Sequence, residues 1–237
     1  MKDYNKLDPL KYEKRHERTV SEYYQRKHWQ PLIKEAIHSY CYGKRVLDLG
    51  SGTGIYTSEI SSIAHSVIGV DISRVFVQYA KTKYEDIDFV IADSHNIPLK
   101  DNSIDVVVCI GMIDYTNRGN VLKEIYRILD SLGVCILHCF NKYSASRLFH
   151  EAVCKLLKKQ ISNKRIDLSY KEFARLLDKE NFVIESYKAQ DGLIWLPEQV
   201  ARLVGLLLFS IIEYFFKLFP RNPFSNTMIF IASKRDI

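Results

Sequence analysis

Short apolar runs and helix-period segments alternate along most of the chain. Runs near 44–49, 66–71, 87–91, 104–110 and 133–140, rich in Val, Ile and Leu, predict strands. Between them, Glu59-Ile60-Ser61-Ser62-Ile63, Val75 to Tyr84 and Asn120 to Leu129 predict crossover helices. That alternation predicts an α/β fold with a doubly wound parallel sheet, and right-handed crossovers set the order of its layers. Asn181 to Ala189 and Asn226 to Ser233 add two later strands. Ligands of such sheets bind beyond the carboxyl ends of the strands, where strand order reverses.

Polar residues interrupt the apolar pattern at those ends. The first run closes in Asp48-Leu49-Gly50-Ser51-Gly52-Thr53-Gly54, a carboxylate followed by three glycines at alternate positions. A strand that turns into a helix through residues without Cβ lets backbone approach a ligand closely. The spacing excludes two phosphate-binding loops. A dinucleotide fingerprint would need glycine where Ile55 stands, and a Walker loop would need Gly-Lys-Ser/Thr where Gly54 is followed by Ile55-Tyr56. The second run ends in Asp71 and the third in Asp93, while Ile110 closes the fourth. Taken singly, Asp48 or Asp71 also suits a helix N-cap, and Asp93 a turn before Pro98.

The ordered set resembles the class I S-adenosylmethionine-dependent methyltransferases. Their acidic-x-Gly-x-Gly-x-Gly loop is matched at Asp48 to Gly54, and their second strand at Val67-Ile68-Gly69-Val70-Asp71-Ile72-Ser73. Phe89-Val90-Ile91-Ala92-Asp93-Ser94 with Ile97-Pro98-Leu99 is similar to the third-strand motif, and Ile104 to Ile110 to the fourth strand. Val121 to Leu137 matches the helix, Leu-x-Gly turn and fifth strand that follow. The resemblance implies a Rossmann-like sheet of seven strands with the last antiparallel, and S-adenosylmethionine as cofactor. Asp48 would anchor its methionine amino group directly or through water, Gly50, Ser51, Gly52 and Thr53 would let backbone donors reach the amino-acid portion, and Gly54 belongs to the same cofactor-binding loop. Asp71 would accept from the ribose hydroxyls, Ile72 and Ala92 would sandwich the adenine, Asp93 and Ser94 would meet its edge, and Ile110 would line the same cleft. Asp114 and Tyr115, beyond the fourth strand, and His138, in the fifth, are the candidate catalytic residues. His138 equally suits a hydrogen-bonded core position.

Residues 1–43 carry aromatics such as Tyr4, Tyr12, Tyr23, Tyr24, Trp29 and Tyr40 among basic residues and are expected to form a helical lid. By resemblance its tyrosines, Tyr24 among them, close over the cofactor; the alternative is an amphipathic helix covering the sheet. The remaining 44–237 form the methyltransferase domain, with helical insertions near 142–165 and 195–222. Glu198 to Phe219 is apolar over most of a helical circumference, yet its longest uncharged run, Leu203 to Ile212, is too short for the roughly 20 residues of a membrane span. It suits a roof over an acceptor pocket, a homodimer seam or a bilayer interface, and the basic segment Arg147 to Lys159 favours an anionic membrane surface. The expected acceptor is therefore a small, apolar or lipid-linked molecule. A cofactor-binding partner or sensor without turnover is the alternative.

Composition narrows this picture. An apolar fraction of 47% supports one sizeable core, and five cysteines without a C-x-x-C pair read as buried thiols in a reducing compartment. Seven histidines show no ligand spacing, so no metal is expected. A net charge of +6 with no nucleic-acid motif makes nucleic acid an unlikely partner. The polar N-terminus predicts a cytoplasmic protein, with peripheral contact at the inner membrane face.

Overall fold

Strands β1 (Arg45–Leu49) and β4 (Ile104–Ile110) are apolar at consecutive positions because helices cover both faces of the sheet they centre. This computed structural model describes residues 4–15, 20–144, 148, 155, 167–190, 225 and 227–235, without the side chains of 4, 15, 20–29 and 190. The expected insertions lie outside these residues, apart from 142–144, 148 and 155. The other elements are α1 (Pro9–Arg15), α2 (Val20–Cys41), α3 (Ile55–Ser61), β2 (Ser66–Asp71), α4 (Arg74–Lys83), β3 (Asp88–Ile91), α5 (Arg118–Ile128), β5 (Leu129–Phe140), α6 (Tyr170–Lys179), β6 (Phe182–Gln190) and β7 (Thr227–Lys234). Seven strands form one sheet in the order β3-β2-β1-β4-β5-β7-β6. β1 pairs in parallel with β2 and β4, whereas β7 runs antiparallel to both β5 and β6.

Alternation along each strand divides the core in two. Leu47, Leu49, Val107, Cys109 and Leu137 face α5 and α6, where Ile125, Phe173 and Leu177 meet them. Val46, Val106, Val108, Ile136 and Ile229 face the other way, onto Ile33 and Ile37 of α2 and Ile60 of α3. The second half of α2 is thus a core helix. α1 instead docks on α4: Glu13 accepts from Lys83 Nζ at 2.9 Å and from the Tyr79 hydroxyl at 3.1 Å, and the Tyr12 ring lies 5.0 Å from Phe76. The four described cysteines are buried free thiols.

Two boundaries differ from the sequence expectation, both for backbone reasons. The first crossover helix opens at Ile55, directly on Gly54 as N-cap, because the glycine turn hands the chain to the helix without a linker. β5 begins at Leu129, four residues early. Ile104 faces Leu129 but Val106 already faces Val134, so the stretch Asp130 to Gly133 bulges out of a continuous strand and leaves Leu132 exposed.

One aromatic side chain ties the glycine turn to the sheet. Phe89 of β3 lies over Gly69 of β2, where a Cβ would sit 2.5 Å from its Cδ1, and against Gly54, whose φ of +83° is left-handed. Gly69→Ala is therefore expected to cost about 1–3 kcal/mol through overpacking, read as a lower urea midpoint with an unchanged slope. The double variant with Phe89→Leu should recover part of the loss, because the shorter side chain vacates the contact.

Candidate functional site

Strand order reverses between β1 and β4, and a cleft opens over the carboxyl ends there. The turn after β1 is fastened to β2 by its own amides. Gly50 N and Ser51 N donate to the Val70 carbonyl at 2.7 and 3.1 Å, and Gly54 N donates to the Ser51 carbonyl at 2.9 Å. Gly52 N donates to Asp71 Oδ2 at 2.9 Å, and Ser73 N to Asp71 Oδ1 at 2.8 Å. The resemblance implies that amides of this turn reach the cofactor, whereas those of Gly50, Ser51, Gly52 and Gly54 each donate within the chain. What they achieve is a fixed carboxylate. Burial raises the Asp71 pKa, and the bonds from Ser73, Gly52 and Ile72 oppose the rise. An ionised carboxylate has about four acceptor sites, so these backbone donors leave capacity for a further donor.

Asp48 sits beneath the turn. It is buried and accepts from the Thr57 hydroxyl at 2.6 Å, and burial pushes its carboxyl up to about 7. At the end of β3, Asp93 is half exposed and accepts at Oδ1 from His95 N. That bond, with the adjacent His95 ring, lowers its pKa. The loop that follows is clamped by α5. Ile97 N donates to Glu124 Oε2 at 2.9 Å, and Arg127 donates to the Ile97 and Leu99 carbonyls at 2.9 and 2.8 Å.

Of the expected site residues, Gly50, Gly52, Asp71, Ile72, Asp93, Ser94, Ile110 and Tyr115 line the cleft. Asp48, Ser51, Thr53, Gly54 and Ala92 are not among the residues that line it; the Ala92 N–H donates to the Asp71 carbonyl at 3.1 Å. Asp114 also faces inward. Its carboxylate takes Arg118 Nη2 and the Phe140 N–H, each at 2.9 Å, and burial pushes it up to about 6. That brace holds the turn carrying Tyr115. His138 is buried in β5 between Ile110 and Ile229, with its ring edge-on to Phe140 and outside the cleft lining. Tyr24 lies on α2, and its side chain is outside the described residues. No metal-binding group of three or more His, Cys, Asp or Glu occurs among the described residues.

Tyr12, Phe76, His95 and Met112 also line the cleft and were not anticipated. Pro9 at the start of a helix signals α1, but nothing in the sequence says which tyrosine reaches the site. His95 was detectable in principle. It stands two residues after an aspartate, where Asx turns form.

Residues 47–137 match the family described as "Methyltransferase domain". The chain is 30% identical over 171 residues to uncharacterized protein MJ0638 of Methanocaldococcus jannaschii, covering 71% of this chain and 67% of that one. It is 28% identical over 118 residues to a demethylmenaquinone methyltransferase of Renibacterium salmoninarum, 49% of each chain. Apart from the first of these, the chain spans about half the length of the curated relatives it matches. Among solved structures, geranyl diphosphate C-methyltransferase from Streptomyces coelicolor A3(2) has the same fold, with a TM-score of 0.61 at 16% identity over 86% of this chain and 79% of that one. The fold and its site define an α/β protein with a ligand cleft at the topological switch point. The chain belongs to the class I S-adenosylmethionine-dependent methyltransferase family.

The buried carboxyl of Asp48 yields a pH signature. Its folded pKa of about 7 lies above the ordinary 3.8, so its contribution is fully present below the ordinary value and is lost as pH rises to about 7. Asp48→Asn should remove this loss, gaining up to about 4 kcal/mol over the parent at pH 8 and little at pH 4. Paired thermal melts across that range measure it.

Proposed function

We propose that this chain transfers the methyl group of S-adenosylmethionine to an apolar or lipid-linked small molecule. The observation that carries the cofactor half is the Asp71 carboxylate, fixed by two backbone amides at the mouth of β2 with acceptor capacity facing the cleft. That arrangement fits a vicinal diol. Ile72, half exposed beside it, offers an apolar face for the adenine. Asp93 and Ser94 stand where the base edge would lie, and Gly50 and Gly52 keep the floor free of side chains. Asp48, buried beneath the turn and off the cleft lining, would act on the amino group of the methionine portion through water, since a nearby ammonium favours the ionised carboxylate.

The cofactor supplies a methyl group already activated on a sulfonium, so the chain has mainly to align an acceptor and exclude water. Alignment of this kind is worth roughly 7–11 kcal/mol of barrier. Tyr115, held by the Asp114–Arg118 brace, is the described polar side chain best placed to orient an acceptor. Asp114 acts through that brace, and His138 through the packing of β5 behind Ile110. The apolar acceptor rests on the stretch from Glu198 to Phe219 and on relatives that the comparisons name for demethylmenaquinone and geranyl diphosphate methylation. A quinone precursor is the first acceptor to try. No described helix is long and apolar enough to cross a membrane, so the membrane contact proposed is peripheral.

Asp71→Ala should weaken S-adenosylhomocysteine binding by roughly 1.5–3 kcal/mol in titration calorimetry, the value of charge-assisted hydrogen bonds to the ribose. An unchanged dissociation constant removes the assignment. Release of S-adenosylhomocysteine on incubation with S-adenosylmethionine and a demethylated naphthoquinol is the expected turnover. Binding without release across a panel of apolar acceptors would favour the non-catalytic reading.

A further inference from the structure

Asp93 carries an exposed carboxylate, 52% accessible, at a position where the cleft needs a directed acceptor. Left alone, such a side chain samples several rotamers. Here the backbone N–H of His95 donates to Oδ1 at 2.9 Å, and Nδ1 of the His95 ring lies 2.6 Å from the same oxygen. An ionised carboxylate only accepts, so the ring proton stands on Nδ1. Both contacts fall on one oxygen, which leaves Oδ2 for a donor in the cleft. The ring is less exposed than its partner, at 27%, and itself lines the cleft.

We propose that His95 is a positioning residue for base recognition: it orients the Asp93 carboxylate so that its second oxygen meets the exocyclic amine of the cofactor's adenine. This rests on the S-adenosylmethionine reading of the cleft. A carboxylate locked in this direction accepts from an amine and repels a carbonyl oxygen, so the same contact discriminates adenine from hypoxanthine. The surrounding turn does not depend on the imidazole. Asn96 N donates to the Asp93 carbonyl at 3.0 Å, and Glu124 and Arg127 hold Ile97 and Leu99 from α5. An exposed pair of this kind adds little to stability, so its removal spares the fold.

The test compares S-adenosyl-L-homocysteine with S-inosyl-L-homocysteine, which carries a carbonyl in place of the amine, by titration calorimetry on the full chain. The parent should bind the adenosyl compound at least about tenfold more tightly, the worth of one directed contact. His95→Ala should lose about three- to tenfold in affinity for the adenosyl compound and none for the inosyl compound. His95→Asn, whose amide nitrogen occupies the place of Nδ1, should restore the difference. Equal losses for both compounds, or no loss for either, overturn the role of His95. If the parent binds neither compound, the cofactor reading itself fails; if Asp71→Ala weakens both while His95→Ala leaves their ratio intact, that reading stands and only the role of His95 falls.

Discussion

A single carboxylate organises the ligand-facing end of this molecule. Asp71 ends β2 and accepts from the amides of Gly52 and Ser73, so it joins the turn after β1 to the start of α4. Backbone donors hold it more firmly than flexible side chains would, because they are already ordered by the sheet and the helix cap. Burial works against the charge, and the amide bonds work for it. The position of the cleft follows, since both of its walls are referenced to that one group.

Packing supplies the second reference. Phe89 fits over the bare backbone of Gly69 and against Gly54, which sets the height of the turn above the sheet. On the far side, Arg127 of α5 donates to two carbonyls of the loop after β3 and to the carboxylates of Glu124 and Asp101. Asp93 and Ser94 thereby reach the cleft from a loop fastened at its far end. The cleft end of the sheet is assembled from strands and helices with short, hydrogen-bonded connections, the condition under which directed contacts add to affinity.

Two buried carboxyls show what this arrangement costs. Asp48 and Asp114 are both raised by burial, to about 7 and about 6, despite the hydrogen bonds each accepts. Asp48 is satisfied by Thr57 from the first turn of α3; Asp114 is satisfied by Arg118 and by the N–H of Phe140. The second set links the turn after β4, the start of α5 and the end of β5. It explains how Tyr115 is held over the cleft while its neighbour in sequence points away.

The succession of strands and helices along the chain, the glycine turn and the acids close to the strand ends were legible in the sequence because each is local: a run of apolar residues, a spacing of glycines, a carboxylate near the run's end. The antiparallel last strand came from the family resemblance rather than from the pattern, since periodicity carries no direction. Other features depended on partners distant in the chain. Arg118 stands only four residues beyond Asp114, but the N–H of Phe140, 26 residues away, is what turns that carboxylate inward, and nothing near His138 says which face of β5 it takes; both are decided by what packs across from them. The same holds for Tyr12, which reaches the cleft because Glu13 meets Lys83 and Tyr79 on a helix some 70 residues away. Sequence alone thus determined the class of fold and where its ligand end lies. Only the tertiary structure decided which side chains face that ligand, because orientation is set by long-range hydrogen bonds and packing that no local pattern encodes.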